Sequence, residues 1–243
     1  MLQQTQVDRV RKKYAEFIGK FPDVRSLASA PLSDVLRLWA GLGYNRRAKY
    51  LRDCATAVVE QYGGKFPRER EALLAFSGIG PSTASAIRSF SFGEDDPMID
   101  TNIRRVLLRV FFPRKKNVGD RELYAFAKDL IPKGRGREWN YAMLDLAATL
   151  CTARNHRDTC PFSTIHGPIR DGKKGKRIPF RLTRRFARGI ALATIGKARN
   201  GIPLSAISAS IRGSPYSARE IVGGLVRDGL VRSARGRYIL SEM

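Results

Sequence analysis

Cysteine is scarce in this chain, with three in 243 residues, and histidine scarcer still, with two. Three cysteines make no disulfide scaffold and fit a reducing, cytosolic-type compartment. No apolar stretch approaches the roughly 18 residues that a membrane-spanning helix needs, and no secretory or lipidation signal is legible. Acidic residues are also few: 22 Asp and Glu against 45 Lys and Arg leave a net charge of +23 and a pI near 10.7. That excess is larger than a solvated surface requires and points to a polyanionic partner, nucleic acid before membrane. The expected setting is the cytoplasm, at the nucleoid if the source is prokaryotic. No obligate protein partner is implied.

What the chain does have is helical periodicity. From Val7, the apolar residues Val10, Tyr14, Phe17, Ile18 and Phe21 recur at three- and four-residue steps, one face of an amphipathic helix. "SAPLSDVLRLWAGLGY" puts Pro31 in a first turn, buries Val35, Leu36, Leu38, Trp39 and Leu42, and stops at Gly41 and Gly43. "RRAKYLRDCATAVVEQYGG" sets Leu51, Cys54, Ala55, Val58, Val59 and Tyr62 on one face, which makes Cys54 a small core residue. Helices predicted over 68–76, 81–92, 101–111, 119–131 and 138–150 complete a mainly α body across residues 1–151. Residues 152–185 hold Pro161, Gly167, Pro168 and Gly172, then a basic run from Lys173 to Arg185. They read as a linker lying along a phosphate backbone. Residues 186–243 read as three helices and a basic hairpin around Ala234–Gly236, the pattern of a winged-helix-like DNA-binding domain. Its third helix would enter the major groove, with Arg235 and Arg237 on the backbone. A small dimerisation module of the same shape is the alternative.

Two stretches carry chemistry. In "LLAFSGIGPSTASAI", Gly78-Ile79-Gly80 separates two helices, the second opening at Pro81. The glycines permit a tight turn and leave no side chain between backbone amides and an incoming oxyanion, and the helix dipole there favours phosphate. With Thr83 and the small residues Ala84, Ser85 and Ala86, this is a helix-hairpin-helix that holds duplex DNA by its backbone. Further on, "PMIDTNIRRV" puts Asp100 directly before another helix. An Asp there caps the helix. The same capping amides keep the carboxylate ionised, able to stabilise an oxocarbenium-like sugar cation.

"MLQQTQV", "LWAGLGY", "GGKFP", "SGIGPSTASAI" and "IDTNIRRVL" occur in the order and spacing of the helix-hairpin-helix DNA glycosylases. Within that superfamily the sequence resembles the adenine DNA glycosylases, the MutY family, from Met1 to about Cys151. The resemblance implies a base-excision-repair enzyme that hydrolyses the N-glycosidic bond of adenine mispaired with 8-oxoguanine or guanine in double-stranded DNA. It implies that Asp100 is the catalytic aspartate and Asn102 a polar neighbour in the site. Gln3 or Gln4 and Tyr44 match side chains that wedge into the base stack as the nucleotide is flipped. Gly78, Ile79, Gly80, Ser82, Thr83 and Arg104 fall in the DNA-clamping region. Ser82 stands where lyase relatives carry a Schiff-base lysine, so the implied enzyme is monofunctional. A thymine or uracil mismatch glycosylase is the rival enzyme, and a non-catalytic DNA-binding protein or regulator the rival of another class.

Three features depart from the family. Its 4Fe–4S cluster uses four cysteines spaced Cys-x6-Cys-x2-Cys-x5-Cys. Here only Cys151 and Cys160 match, so an all-cysteine cluster does not form within one chain. Cys151, His156, Cys160 and His166 offer a tetrahedral Cys₂His₂ zinc set instead, against the alternative of a metal-free relic loop. The family's nucleotide-hydrolase-like C-terminal domain is replaced by the winged-helix-like tail. Finally, the family's general-acid glutamate lies two residues before the methionine of "MLQQTQ", and the 243 residues begin at that methionine. An internal methionine taken as a start explains this, and so does a protein that kept DNA binding and lost base excision. General acids contribute roughly 10²–10⁴ in rate. The 243-residue chain is therefore expected to release little adenine from an adenine·8-oxoguanine duplex, and extension upstream through the glutamate to restore release. Full activity of the unextended chain contradicts this.

Overall fold

The computed structural model describes all residues except Gln3, Gln4, Gln6, Lys116, 153–159, Ser163, 166–177 and Met243. Helix α1 (Val7–Lys20) is followed by α2 (Val24–Ala28), capped by Asp23, whose side chain accepts from the Ser26 amide. Then come α3 (Leu32–Trp39) and α4 (Arg46–Tyr62). Gly63 ends α4 at φ +61, a left-handed stop that a glycine adopts without Cβ strain. The chain continues through α5 (Arg70–Leu74), α6 (Pro81–Ala86) running on as a π turn over Ile87–Ser91, α7 (Thr101–Phe111), α8 (Asp120–Asp129) and α9 (Gly136–Thr149). Eight of these nine helices fall where the sequence predicts them, most with shorter ends; the short α2 was not predicted.

The tail forms α10 (Arg184–Lys197), β1 (Ile202–Pro203), α11 (Leu204–Ser210), α12 (Ala218–Arg227), β2 (Val231–Ala234) and β3 (Arg237–Leu240). Its sheet is antiparallel in the order β1-β3-β2, with Ser233 opposite Tyr238 and Ala234 opposite Arg237. Arg235 and Gly236 turn the hairpin with both φ values positive, +49° and +73°, the handedness that matches strand twist. The two-residue β1 is too short to show a sequence period. No described helix is long and apolar enough to cross a membrane.

The chain condenses into two units, Met1–Phe66 with Lys176–Met243, and Pro67–Gly175. The boundaries predicted at 151 and 185 do not coincide with this division, and the core of the first unit shows why. Leu32, Val35 and Trp39 of α3 belong to one buried cluster with Ala191 and Ile195 of α10, Ile221 and Leu225 of α12, and Leu240 of β3. The tail's apolar faces complete a core that the first four helices leave open. The edge of that core is tied by polar contacts. The Leu32 amide donates to the Glu242 carbonyl at 3.3 Å, and Arg37 Nε to the Gly196 carbonyl at 3.2 Å. Asp228 pairs with both Arg188 of α10 and Arg46 of α4.

The second unit has its own core, with Ile103 and Leu107 of α7 against Leu123 and Ala127 of α8. A buried polar cluster holds the segment leading to α7. Asp96, 1% exposed, accepts from Arg70 of α5, from Arg88 at 2.6 Å and from the Tyr124 hydroxyl at 3.0 Å. The fully buried Asn140 of α9 donates to Ser89 Oγ and the Asp96 and Gly136 carbonyls, and accepts from the Met98 amide. Asp95 accepts from the amides of Gly134 and Gly136. A Cβ on Gly136 would lie 2.4 Å from the Glu94 carbonyl oxygen, so only glycine fits that approach.

Two predicted faces need correction. Tyr14 and Ile18 of α1 are 57% and 42% exposed while Val10, Phe17 and Phe21 are buried. Leu51 and Tyr62 are likewise exposed on α4. Periodicity identifies the apolar side of a helix, but the narrower contact with its neighbours decides which of those residues are covered. Cys54 is buried as expected, and burial pushes its thiol up to about 11, leaving it protonated and inert at neutral pH. Removing side-chain volume at the fully buried Ile195 should cost about 2–5 kcal/mol. In urea unfolding Ile195→Ala is expected to lose that much, while Ile18→Ala changes stability by about 0.5 kcal/mol or less.

Candidate functional site

The hairpin and the carboxylate both lie in the second unit, and both depend on helix ends. Gly78 adopts φ +85, and the Ile79 amide returns to the Phe76 carbonyl at 3.1 Å, which closes the turn. Gly80 caps α6 in extended backbone with no side-chain cap, and Pro81 opens the helix. A Cβ on Gly80 would meet nothing within 4 Å, so the turn is open on that side. Ser82 and Thr83 stand half-buried in the first turn. Arg70 Nη1 bonds Ser85 Oγ at 2.7 Å as well as Asp96, so one guanidinium joins the helix after the hairpin to the loop before Asp100.

Asp100 is the N-cap of α7. Its Oδ1 accepts from the amides of Asn102 (2.9 Å) and Ile103 (2.8 Å), and its Oδ2 accepts from Asn102 Nδ2 at 2.9 Å. Three donors and the positive end of an 11-residue helix converge on one half-buried carboxylate. Together they fix the direction of the carboxylate. Asn102 is itself oriented: its Oδ1 accepts from Arg105 Nη1 at 3.0 Å. Arg105 in turn donates to the Cys151 and Ala147 carbonyls at the end of α9. Sequence reading passed over Arg105, although the three-residue spacing from Asn102 on a helix is a local signal. It also passed over Asn140 and Asp96, whose partners are distant in sequence. Arg104, expected in the DNA-clamping region, donates to Asp120 Oδ1 at 2.5 Å and to the Val118 carbonyl at 2.6 Å.

Tyr44 lies in the first unit, after Gly41 and Gly43, and takes φ +46 itself. Thr5 Oγ1 donates to the Leu42 carbonyl and Trp39 Nε1 to the Gly43 carbonyl, which pins this loop. Beside it opens a cavity of about 770 Å³ between the loop and α10, with Arg9, Arg37, Arg185, Lys197, Tyr44 and Phe180 in its wall. No carboxylate is among the described residues that line it. A cationic wall with exposed aromatics suits polyanionic strands with unstacked bases.

Cys151 and Cys160 are buried in the second unit. Cys151 Sγ accepts from the buried Arg109 guanidinium at 3.3 Å and packs with Val106, Val110 and Ala147. A four-thiolate cluster does not fit these residues: the chain has a single further cysteine, and it sits within α4. His156 and His166 of the zinc expectation lie outside the described residues, as do Gln3 and Gln4. Among the described residues no group of three or more potential metal ligands is assembled.

Residues 1–133 match the family model described as "HhH-GPD superfamily base excision DNA repair protein". The chain belongs to that superfamily. Its relatives include the adenine DNA glycosylase of Mycolicibacterium smegmatis, 33% identical over 248 residues that span 99% of this chain and 85% of that protein. The human adenine DNA glycosylase is 38% identical over 170 residues, 68% of this chain and 31% of the human protein. Among solved structures, a thermostable thymine-DNA glycosylase aligns with a TM-score of 0.64 at 30% identity, over 68% of this chain and 78% of that one. A non-covalent endonuclease III–DNA complex aligns with a TM-score of 0.62 at 22% identity, over 68% and 78%, a likeness of fold.

The cap makes a separable prediction about stability. Asp100→Ala should cost about 1 kcal/mol, whereas Asp100→Asn, an equally good N-cap, should leave the denaturation midpoint nearly unchanged. Equal losses for both substitutions would show that the carboxylate's charge, rather than the cap, holds the start of α7.

Proposed function

We propose that this protein is a base excision repair glycosylase that hydrolyses the N-glycosidic bond of adenine in duplex DNA, its targets being adenine opposite 8-oxoguanine or guanine. The observation that carries the reading is the Asp100 carboxylate, held by two backbone amides and Asn102 Nδ2 at the mouth of α7. When the glycosidic bond breaks, its electron pair leaves with the protonated adenine and positive charge develops on the deoxyribose ring. A carboxylate already fixed in place stabilises that charge without reorganising. Water then adds to C1′ and gives up a proton, yielding an abasic site. Ser82 offers no amine for a Schiff base, so the strand is left intact. Adenine DNA glycosylase relatives in bacteria and mammals support the choice of base.

The rest of the machinery follows the same reading. Gly78, Ile79, Gly80, Ser82 and Thr83 hold a phosphate of the duplex. Tyr44, with Gln3 or Gln4, enters the base stack as the adenosine turns out. The tail is a winged helix: its order of helices and its three-stranded sheet support this, and α12 with the Arg235–Arg237 hairpin would lie on the DNA. Arg104 serves this reading as a brace for α7 rather than as a phosphate contact. Zinc at Cys151, Cys160, His156 and His166 is tested by metal analysis: a stoichiometric ion supports it and none ends it.

A second reading, removal of mispaired thymine, rests on the 30% identity to the thymine-DNA glycosylase structure. A panel of mismatched duplexes separates the two. In protein that releases adenine, Asp100→Asn is expected to lower single-turnover release by roughly 10²–10³ while duplex affinity stays within twofold, about the loss from removing one electrostatic stabiliser. Release unchanged by the substitution would overturn the role given to Asp100.

A further inference from the structure

Tyr44 is a 40% exposed side chain on a left-handed backbone, in a loop whose glycines Gly41 and Gly43 also have positive φ. Such a ring, left to itself, samples several rotamers. In this fold it is gripped from two directions. Arg47, in the first turn of α4, sets its guanidinium 5.4 Å from the ring centroid. Arg185, in the first turn of α10, lies 4.5 Å from the same centroid and donates from Nη1 to the Tyr44 hydroxyl at 2.5 Å. The Arg185 guanidinium rests in turn over Phe180, at 4.9 Å.

Arg185 is itself held in place. Thr183 caps α10, its hydroxyl accepting from the Phe186 amide and donating to the Phe180 carbonyl at 2.6 Å. Arg184 pairs with Glu220 at 3.2 Å and Arg188 with Asp228, which fasten the same turn of α10 to α12. Asp228 also pairs with Arg46, two residues from Tyr44. No carboxylate competes for Arg185 among the described residues of the adjoining cavity.

We propose that Arg185 is a positioning residue for Tyr44: the tail, through one stacked and hydrogen-bonded guanidinium, sets the ring in the orientation from which it enters the base stack. The proposal rests on the reading of Tyr44 as the side chain that penetrates the duplex. Selectivity for a mismatched over a matched duplex then depends on a residue more than a hundred positions away from the wedge, in a module that composition alone assigns to general DNA binding. The physical gain is pre-organisation, because the ring's rotamer freedom is lost on folding rather than on binding.

A double-mutant cycle tests it with the 243-residue chain, using fluorescence anisotropy on matched and adenine·8-oxoguanine duplexes, plus 2-aminopurine emission beside the mismatch as a report of unstacking. Arg185→Ala is expected to reduce mismatch-over-match selectivity and the 2-aminopurine response about three- to tenfold. Tyr44→Ala should do the same, and the double variant should lose no more than either. Arg185→Lys should fail to restore the response, because an ammonium lacks the planar fork that lies over the ring. A plain phosphate contact behaves otherwise. Arg185→Ala would weaken both duplexes equally, lower the salt slope by about one, multiply with Tyr44→Ala and be rescued by lysine, and that pattern overturns the proposal alone. Unchanged selectivity in Tyr44→Ala overturns the proposal together with the wedge reading it rests on.

Discussion

The first unit depends on the burial of α3 by residues from the far end of the chain. Leu32 and Val35 have no exposed surface and Trp39 has 2%, and the side chains sharing their cluster include Ala191, Ile195 and Leu240. Each large apolar side chain buried in this way contributes about 1.5–3 kcal/mol. The ion pair that crosses this edge, Arg46–Asp228, is partly exposed and is worth about 0–1 kcal/mol. Burial therefore holds the tail to the first helices, and the polar contacts set the register in which it is held. That register is what brings Arg185 to Tyr44 and Asp228 to Arg46. A tail with the same surface charge but a different apolar face would bind DNA and leave the loop at Tyr44 unsupported.

In the second unit the corresponding constraint is polar. The loop from Gly93 to Asp100 has no regular structure of its own, and its direction comes from side chains on the surrounding helices. Asp96 is buried with two arginines and a tyrosine, Asp95 accepts from two amides, and Asn140 uses both ends of its amide. Leaving any of these groups unpaired in the interior would cost about 1–3 kcal/mol, so the loop has one arrangement that satisfies all of them. Tyr124 shows the same environment: burial, reinforced by the Asp96 carboxylate, raises its pKa. The loop therefore delivers Asp100 to the start of α7 in a fixed orientation, before any DNA is present.

What was legible in the sequence was local. The Gly-Ile-Gly turn, Pro81 at a helix start and the Asp100 cap each follow from the backbone preference of one or two residues. What was not legible was long-range. Nothing near Asp96 in sequence announces Arg70, and nothing near Arg185 announces Tyr44. The division of the chain was missed for the same reason. A break in composition at 152–185 marks a change of local chemistry, but the core of the first unit closes across it. The exposed faces of α1 and α4 show the limit of periodicity, which gives the apolar side of a helix without the width of its contact.

The charge of the chain reads differently once its arginines are placed. Composition gave +23 and a basic surface. Yet Arg105 donates to two carbonyls and to Asn102, Arg109 to a thiol and a carbonyl, and Arg70 and Arg88 to one buried aspartate. These side chains use the planar guanidinium as a structural cross-link, donating in several directions at once, which an ammonium on a flexible stem does poorly. Net charge therefore overstates the cations offered to phosphate while correctly giving their sign. Arg185 belongs to both groups: it is exposed on a wall with no carboxylate among its described residues, and it is fixed to Tyr44 by a geometry that a guanidinium supplies. A fold that binds DNA mostly through its backbone has little need of such fixed geometry at a phosphate. On the reading of Tyr44 proposed above, the need is far greater, because the side chain must push between stacked bases and hold them apart.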